Sequence, residues 1–336
     1  TSIMMLPVAL SVLALAEKSG GIAEGSHENL SISLLLGVAY GASIGGLATL
    51  IGTPPNALLA AYMAREHGVQ IGFAQWMLLG VPLAALMLAG AWFILVRLHP
   101  VVANERWQAH DAVASELARL GPVSAAEIRV ALVFFLTAGA WMTRPLYGSY
   151  LPALDDSGIA IIAAIALFLL PSGRVEGGRL LAWEDLRDLP WDVLILFGGG
   201  LSLAAAISSS GLAAWLGAEM QVLANWPMLL LVAALTLAMI FLTELTSNTA
   251  SAATFLPIGG ALALGLGLDP LTLAVPLALA ASCAFMLPVA TPPNAIVFSS
   301  GRISITQMAL AGLWLNIYGS LAIVAASAWL AGWALG

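Results

Sequence analysis

The residues of this chain with chemistry to offer are Ser247-Asn248-Thr249, inside the stretch LTELTSNTA, and Thr53-Pro54-Pro55-Asn56 with its second copy, Thr291-Pro292-Pro293-Asn294. The hydroxyls and amide of 247–249 can donate to carboxylate oxygens or accept toward a hard cation, and they carry no charge of their own. Neutral ligands suit an anion that must be released as well as bound. Thr243, about one turn earlier, can add a hydroxyl or carbonyl oxygen to a sodium site.

The paired prolines act on the backbone. Proline lacks an N–H and clashes with the carbonyl four residues back, so each pair frees carbonyls in the turn before it. Proline also suits the first turn of a new helix. Each TPPN therefore predicts a helix end followed by a helix start, with carbonyls able to hold a cation and N–H groups able to hold an anion. Left facing lipid, such groups are strongly unfavourable, so the break must line a protein or water cavity. Proline kinks and Ser/Thr/Asn bridges are common in membrane helices without any ligand. Two copies together with SNT point past that plain reading to a site.

The elements that must position these residues are membrane helices. Of the 336 residues 61% are hydrophobic and 9% charged, against roughly a quarter charged in a soluble domain. Apolar runs at 73–96, 128–142, 157–171, 191–215, 271–298 and 306–334 approach or exceed the about 20 residues that a helical crossing needs. Period-2 alternation is absent, which argues for helices over barrel strands. The stretch 227–267 is two apolar arms flanking a polar knot at 243–249, and it predicts a re-entrant hairpin with its tip at mid-membrane.

The sequence also repeats. TSIMMLPVALSV (1–12) matches SAATFLPIGGAL (251–262), and a TPPN-broken helix follows each. On this alignment Thr1 pairs with Ser251, and the partner of the SNT lies before residue 1. With the polar segment 97–129 placed in the cytoplasm, nine of the eleven Lys and Arg fall inside and only Arg65 and Arg144 outside. The first hairpin remnant then lies on the cytoplasmic side and the complete hairpin on the outside. Inverted repeats with broken helices characterise secondary transporters, whose site lies where the breaks meet. The expected fold is an all-α polytopic membrane protein of inverted-repeat transporter type. Its expected division is 1–72 for the remainder of the first repeat, 73–126 for a membrane helix and cytoplasmic connector, 127–226 for scaffold helices and the start of the second repeat, 227–305 for the hairpin and second broken helix, and 306–336 for the last helix.

Other residues carry less. Glu244 is the one carboxylate expected deep in the membrane. It is read either as a coupling-proton carrier or, in preference, as a carboxylate that holds the hairpin tip in shape. Gly198-Gly199-Gly200 follows no strand, so close helix packing or local unwinding is expected, not a nucleotide loop. Cys283, the single cysteine, is read as an apolar filler in a helix, and the four histidines as solvated. The net charge of −7 is spread thinly and carries no functional weight. No H-E-x-x-H and no paired intramembrane aspartates occur, and amides and hydroxyls without a base make poor catalysts. A transporter is expected, not an enzyme. The start lacks Met and a basic n-region, which predicts a chain beginning in mid-domain.

SNT at 247–249, TPPN at 53–56 and 291–294, and PWDVLILFGGG at 190–200 resemble the divalent anion/sodium symporter family along essentially the whole chain. The family carries C4-dicarboxylates, citrate or sulfate. The resemblance implies a homodimer of multi-pass protomers in a bacterial inner membrane, each with a scaffold and an elevator-like transport domain. It implies anion contacts at Ser247, Asn248, Thr249, Thr291 and Pro292 from one repeat, and at Thr53 and Pro54 from the other. One sodium site would use Thr243, Thr246, Asn248 and Ala290. A second would use Gly52 together with an SNT that this chain does not contain.

Overall fold

Breaks at proline and glycine divide the apolar sequence into helices, and the described residues contain no strand beyond one isolated bridge, Pro171 to Arg179. The computed structural model describes residues 1–19, 23, 25–102, 121–152, 154–173, 178–188, 191–212, 215, 219 and 225–335. In chain order the helices are α1 (Ser2–Ser19), α2 (His27–Leu47), α3 (Pro54–Glu66), α4 (Phe73–Leu98), α5 (Ala125–Tyr147) and α6 (Asp156–Leu169). They continue as α7 (Trp191–Ser209), α8 (Met228–Thr243), α9 (Asn248–Gly265), α10 (Leu271–Ala281), α11 (Pro292–Phe298) and α12 (Ile305–Ala326). A π-helical turn, Ser327–Ala331, extends α12.

Among the described residues four helices, α2, α4, α5 and α12 with its extension, are long and apolar enough to cross a membrane. The run 157–171 gives a shorter helix than expected. α6 has 14 residues, about 21 Å at 1.5 Å per residue, because Leu170 before Pro171 is driven into an extended conformation. The stretch 227–267 folds as the two arms of a hairpin, α8 and α9, joined by the short tip Glu244–Ser247.

The two copies of the repeat interlock. α3, the helix after the first break, packs on α9 and α10 of the second copy; α11, after the second break, packs on α1 and α2 of the first. α4 and α12 pack on each other. The core therefore runs through both copies, with Tyr40, Trp76 and Phe285 among its largest fully buried side chains. Equivalent starts appear in α4 and α12, where Gln75 accepts from Gly72 N–H (3.3 Å) and Gln307 from Ser304 N–H (2.8 Å). Ser304 also accepts from Gln307 N–H (3.2 Å), completing a capping box.

α5 and α6 stand apart. α5 buries no residue and α6 only Ile159. They hold to each other and, through α5, to α4, where Phe73 stacks on Trp141 at 4.9 Å. The glycine triplet is helical throughout. A Cβ at Gly200 would lie 2.5 Å from the Ala253 Cβ, so α7 and α9 touch at that point and packing, not unwinding, explains the glycine.

Candidate functional site

At the hairpin tip three oxygens crowd together. The Thr243 hydroxyl lies 2.7 Å from Asn248 Oδ1 and 3.1 Å from the Ala281 carbonyl. A hydroxyl has one proton, so it can satisfy only one of these acceptors fully. Three oxygens sharing a single proton are what a sodium ion would relieve. Two further expected ligands lie in irregular backbone: the carbonyls of Thr246 and Ala290 accept no backbone N–H among the described residues. The Thr246 hydroxyl is committed elsewhere, to Leu242 O (3.0 Å) and Ser251 Oγ (2.6 Å). Its carbonyl is free of both bonds.

The two breaks are built alike. Asn56 Nδ2 donates to Gly46 O (3.4 Å) and Thr49 O (3.0 Å); Asn294 Nδ2 donates to Ala284 O (3.2 Å) and Leu287 O (3.0 Å). Each set of positions in the second copy is the first plus 238. Trp76 Nε1 donates to Leu47 O (3.0 Å), and Tyr40 Oη to the equivalent Phe285 O (3.1 Å). The freed carbonyls are thus largely tied up by side chains, contrary to the expectation that they would face a cation. The fourth residue of TPPN, an asparagine, does the tying, and the repeat of that residue was the signal for it. In both asparagines Oδ1 is left buried without a partner among the described residues.

Glycines let the next helix lie directly on each break. A Cβ at Gly80 would come within 2.6 Å of Leu47 O, and one at Gly312 within 2.3 Å of Phe285 O. At Gly52, the expected ligand from the first copy, a Cβ would meet Gly46 O at 2.2 Å. No larger residue fits at these three places.

For the anion the structure alters the donor list. Pro292 and Pro293 have no N–H, Asn294 N–H is taken by Thr291 Oγ1 (3.3 Å), and Ala295 N–H by Thr291 O (3.1 Å). The start of α11 has no N–H left to give. The start of α9 does, because Ser247 makes no capping bond to it. Thr291 and Thr53 come out as matched donors. Thr291 Oγ1 accepts from Asn294, and Thr53 Oγ1 accepts from Ser282 Oγ (3.0 Å), so each keeps its own proton to give. Ser282, buried at the end of α10, joins the two copies through Thr53; sequence reading missed it.

Among the described residues no hydrogen bond joins Ser247 or Thr249 to Thr53 or Thr291. Ser247, Pro54, Pro292 and Gly52 are exposed, Thr53 and Asn248 half-buried, and Thr249, Thr291, Thr243 and Ala290 buried. Asn248 uses Oδ1 toward Thr243 and keeps both Nδ2 protons. The available donors are therefore neutral hydroxyls, one amide and the N–H groups that open α9.

Three side readings change. Glu244 does not bond within the tip: its oxygens accept from Phe285, Met286 and Leu287 N–H and from Asn316 Nδ2. Cys283 is fully buried but lies in the irregular segment after α10, not in a helix. Of the histidines, His99 is buried, and burial lowers its pKa against the opposing effect of Glu28. His67 is half-buried, with Nε2 2.9 Å from Tyr62 Oη, and His110 lies outside the described residues.

The family described as sodium:sulfate symporter transmembrane region matches residues 1–335. The chain is 40% identical over 330 residues to a sodium-dependent dicarboxylate transporter SdcS of Staphylococcus saprophyticus, covering 96% of this chain and 63% of that protein. It is 38% identical over 338 residues to the SdcS of Staphylococcus aureus, with the same coverage. The chain thus spans somewhat under two thirds of the length of these relatives.

Proposed function

We propose that this chain, which belongs to the sodium:sulfate symporter family, is the core of a secondary active transporter that imports a C4-dicarboxylate such as succinate, malate or fumarate together with sodium. The observation that carries the reading is the pairing of two ligand types on one hairpin tip. Thr243 Oγ1, Asn248 Oδ1 and Ala281 O form an acceptor cluster with one proton among them. On the same tip Asn248 Nδ2, Ser247 and Thr249 offer donors, and Thr291 and Thr53 offer matched hydroxyls at the two breaks, none of them basic. An anion held only by neutral donors needs its charge met by a cation, and a sodium ion at the adjacent oxygens supplies it.

Within this reading Ser247, Asn248, Thr249, Thr291, Pro292, Thr53 and Pro54 line the anion. Thr243, Thr246 through its carbonyl, Asn248 and Ala290 hold one sodium. Gly52 belongs to a second sodium site. We place the protein in a bacterial inner membrane as a homodimer, with 1–72 and 227–305 moving as an elevator against the scaffold of 127–226. The family's description names sulfate, while the relatives are named for dicarboxylates, so substrate shape is the point to test. Two half-sites from two repeats suit an extended dianion better than a compact one.

The test uses the full-length protein in proteoliposomes. Succinate should accumulate against its gradient when sodium is outside and stop when choline replaces it. Malate and fumarate should compete with succinate, and monocarboxylates only weakly. Competition by sulfate alone would overturn the dicarboxylate assignment, and uptake indifferent to sodium would overturn the coupling.

A further inference from the structure

Glu244 is buried, with 3% of its surface exposed, and its carboxylate accepts four hydrogen bonds. Oε1 accepts from Phe285 N–H (2.7 Å), Met286 N–H (2.9 Å) and Asn316 Nδ2 (2.8 Å), and Oε2 from Leu287 N–H (3.0 Å). Four donors and no facing acceptor match the acceptor-only inventory of an ionised carboxylate. Among the described residues no cation pairs with it; the ion pairs there are Arg65–Glu66, Arg144–Asp156 and Arg302–Glu17. The four hydrogen bonds hold the charge in place, and because their donors are neutral it still attracts a counter-ion that comes near.

The bonds of Glu244 tie together three pieces of chain. Glu244 itself follows Thr243 at the hairpin tip; residues 285–287 belong to the second break, between Ala281 and Ala290; Asn316 is in the middle of α12. The acceptor cluster proposed for sodium draws Thr243, Thr246 and Asn248 from the tip, and Ala281 and Ala290 from the break. Those are the two pieces whose separation Glu244 fixes.

The first copy has no such lock on its α4 side. Aligned on Gln75 with Gln307 and on Gly80 with Gly312, the position of Asn316 falls on Ala84, which has no polar group to offer.

We propose that Glu244 is a positioning residue for the sodium site at the hairpin tip: clamped by Asn316 and the 285–287 amides, it holds the tip and the break at ligand distance and supplies the negative charge that sodium neutralises. This rests on the symport reading above. It predicts that sodium affinity depends on the Glu244–Asn316 pair more than anion affinity does.

The experiment is a mutant cycle in the full-length transporter, reading the sodium half-saturation and the succinate KM at saturating sodium. Glu244→Gln keeps the shape but removes the charge and turns an N–H₂ toward donors. It should raise the sodium half-saturation about tenfold or more, the scale of a lost hydrogen bond to a charged group. Succinate KM at saturating sodium should change far less. Asn316→Asp sets a second carboxylate against the first and should be at least as harmful. The double variant restores a single charge to the cluster and should recover much of the sodium affinity.

Asn316→Ala removes one donor and leaves the three backbone bonds, so it serves if Glu244→Gln fails to fold; it should raise the sodium half-saturation severalfold. A double variant no better than the worse single one would overturn the clamp. So would equal shifts in both constants, or an unchanged sodium response in folded Glu244→Gln or Asn316→Ala. Wild-type uptake without sodium dependence would instead overturn the symport reading, which separates the two failures.

Discussion

Replacing Asn248 with alanine separates fold from function more cleanly than any other change at the site. Asn248 is half-buried at the first position of α9. Its side chain makes one hydrogen bond, the 2.7 Å contact from Thr243. When the amide is removed, the Thr243 proton still has Ala281 O at 3.1 Å, so no buried group is orphaned. The loss in stability should stay near one ordinary hydrogen bond, about 0.5–1.5 kcal/mol. Transport should suffer much more. The variant loses an N–H₂ donor to a dianion, about 1.5–3 kcal/mol for a bond to a charged group, or about 10- to 150-fold in affinity. It loses a sodium ligand as well, and the two losses multiply because each ion helps to hold the other. Labelled succinate uptake should fall to background while the melting temperature in detergent moves by only a few degrees. Asn248→Asp provides the control: an oxygen stays for sodium, but the donor is replaced by a negative charge facing the anion. Sodium should still raise its melting temperature, and succinate should not. Wild-type uptake by folded Asn248→Ala would refute the placement of the site. Unfolding of that variant would refute the claim that Thr243 is satisfied without it.

The remaining predictions concern the scaffold. Asn294→Ala would leave Ala284 O unpaired in a dry interior at about 1–3 kcal/mol, while Leu287 O keeps the Ala290 N–H, so it should lower the melting temperature more than Asn248→Ala; an unchanged melt would mean water replaces the amide. The charge bias of the loops places one end of α4 in the cytoplasm and the end of α5 outside. Val102→Cys and Tyr150→Cys, at positions 61% and 82% exposed, should then label in opposite ways with an impermeant thiol reagent: Tyr150→Cys in intact cells and Val102→Cys only after permeabilisation. Labelling of Val102→Cys from outside would overturn the orientation, and the inverted-repeat reading with it.

Much of this protein is decided by residue type and order. Proline has no N–H wherever it sits, so Pro54-Pro55 and Pro292-Pro293 break their helices before any partner is known, and α3 and α11 begin at those prolines. A polar knot between two apolar arms must turn, and it does, at Glu244–Ser247. These are local effects, and a sequence states local effects directly. Which donor meets which freed acceptor is a different kind of fact. Asn56 and Asn294 reach back only ten residues or fewer to tie the carbonyls that the prolines release, yet the direction of that reach depends on how each break folds onto the glycine of the next helix. Ser282 finds Thr53 229 residues away, and Glu244 finds Asn316 72 residues away. Glu244 turns away from its own hairpin tip because three amides of the break are presented to it, and only the packing of α8, α10 and α12 presents them. Hydrogen bonds hold over about 3 Å and in one direction, so the pattern of residues decides which groups need partners, and the interlocking of the two repeats decides which partners they get.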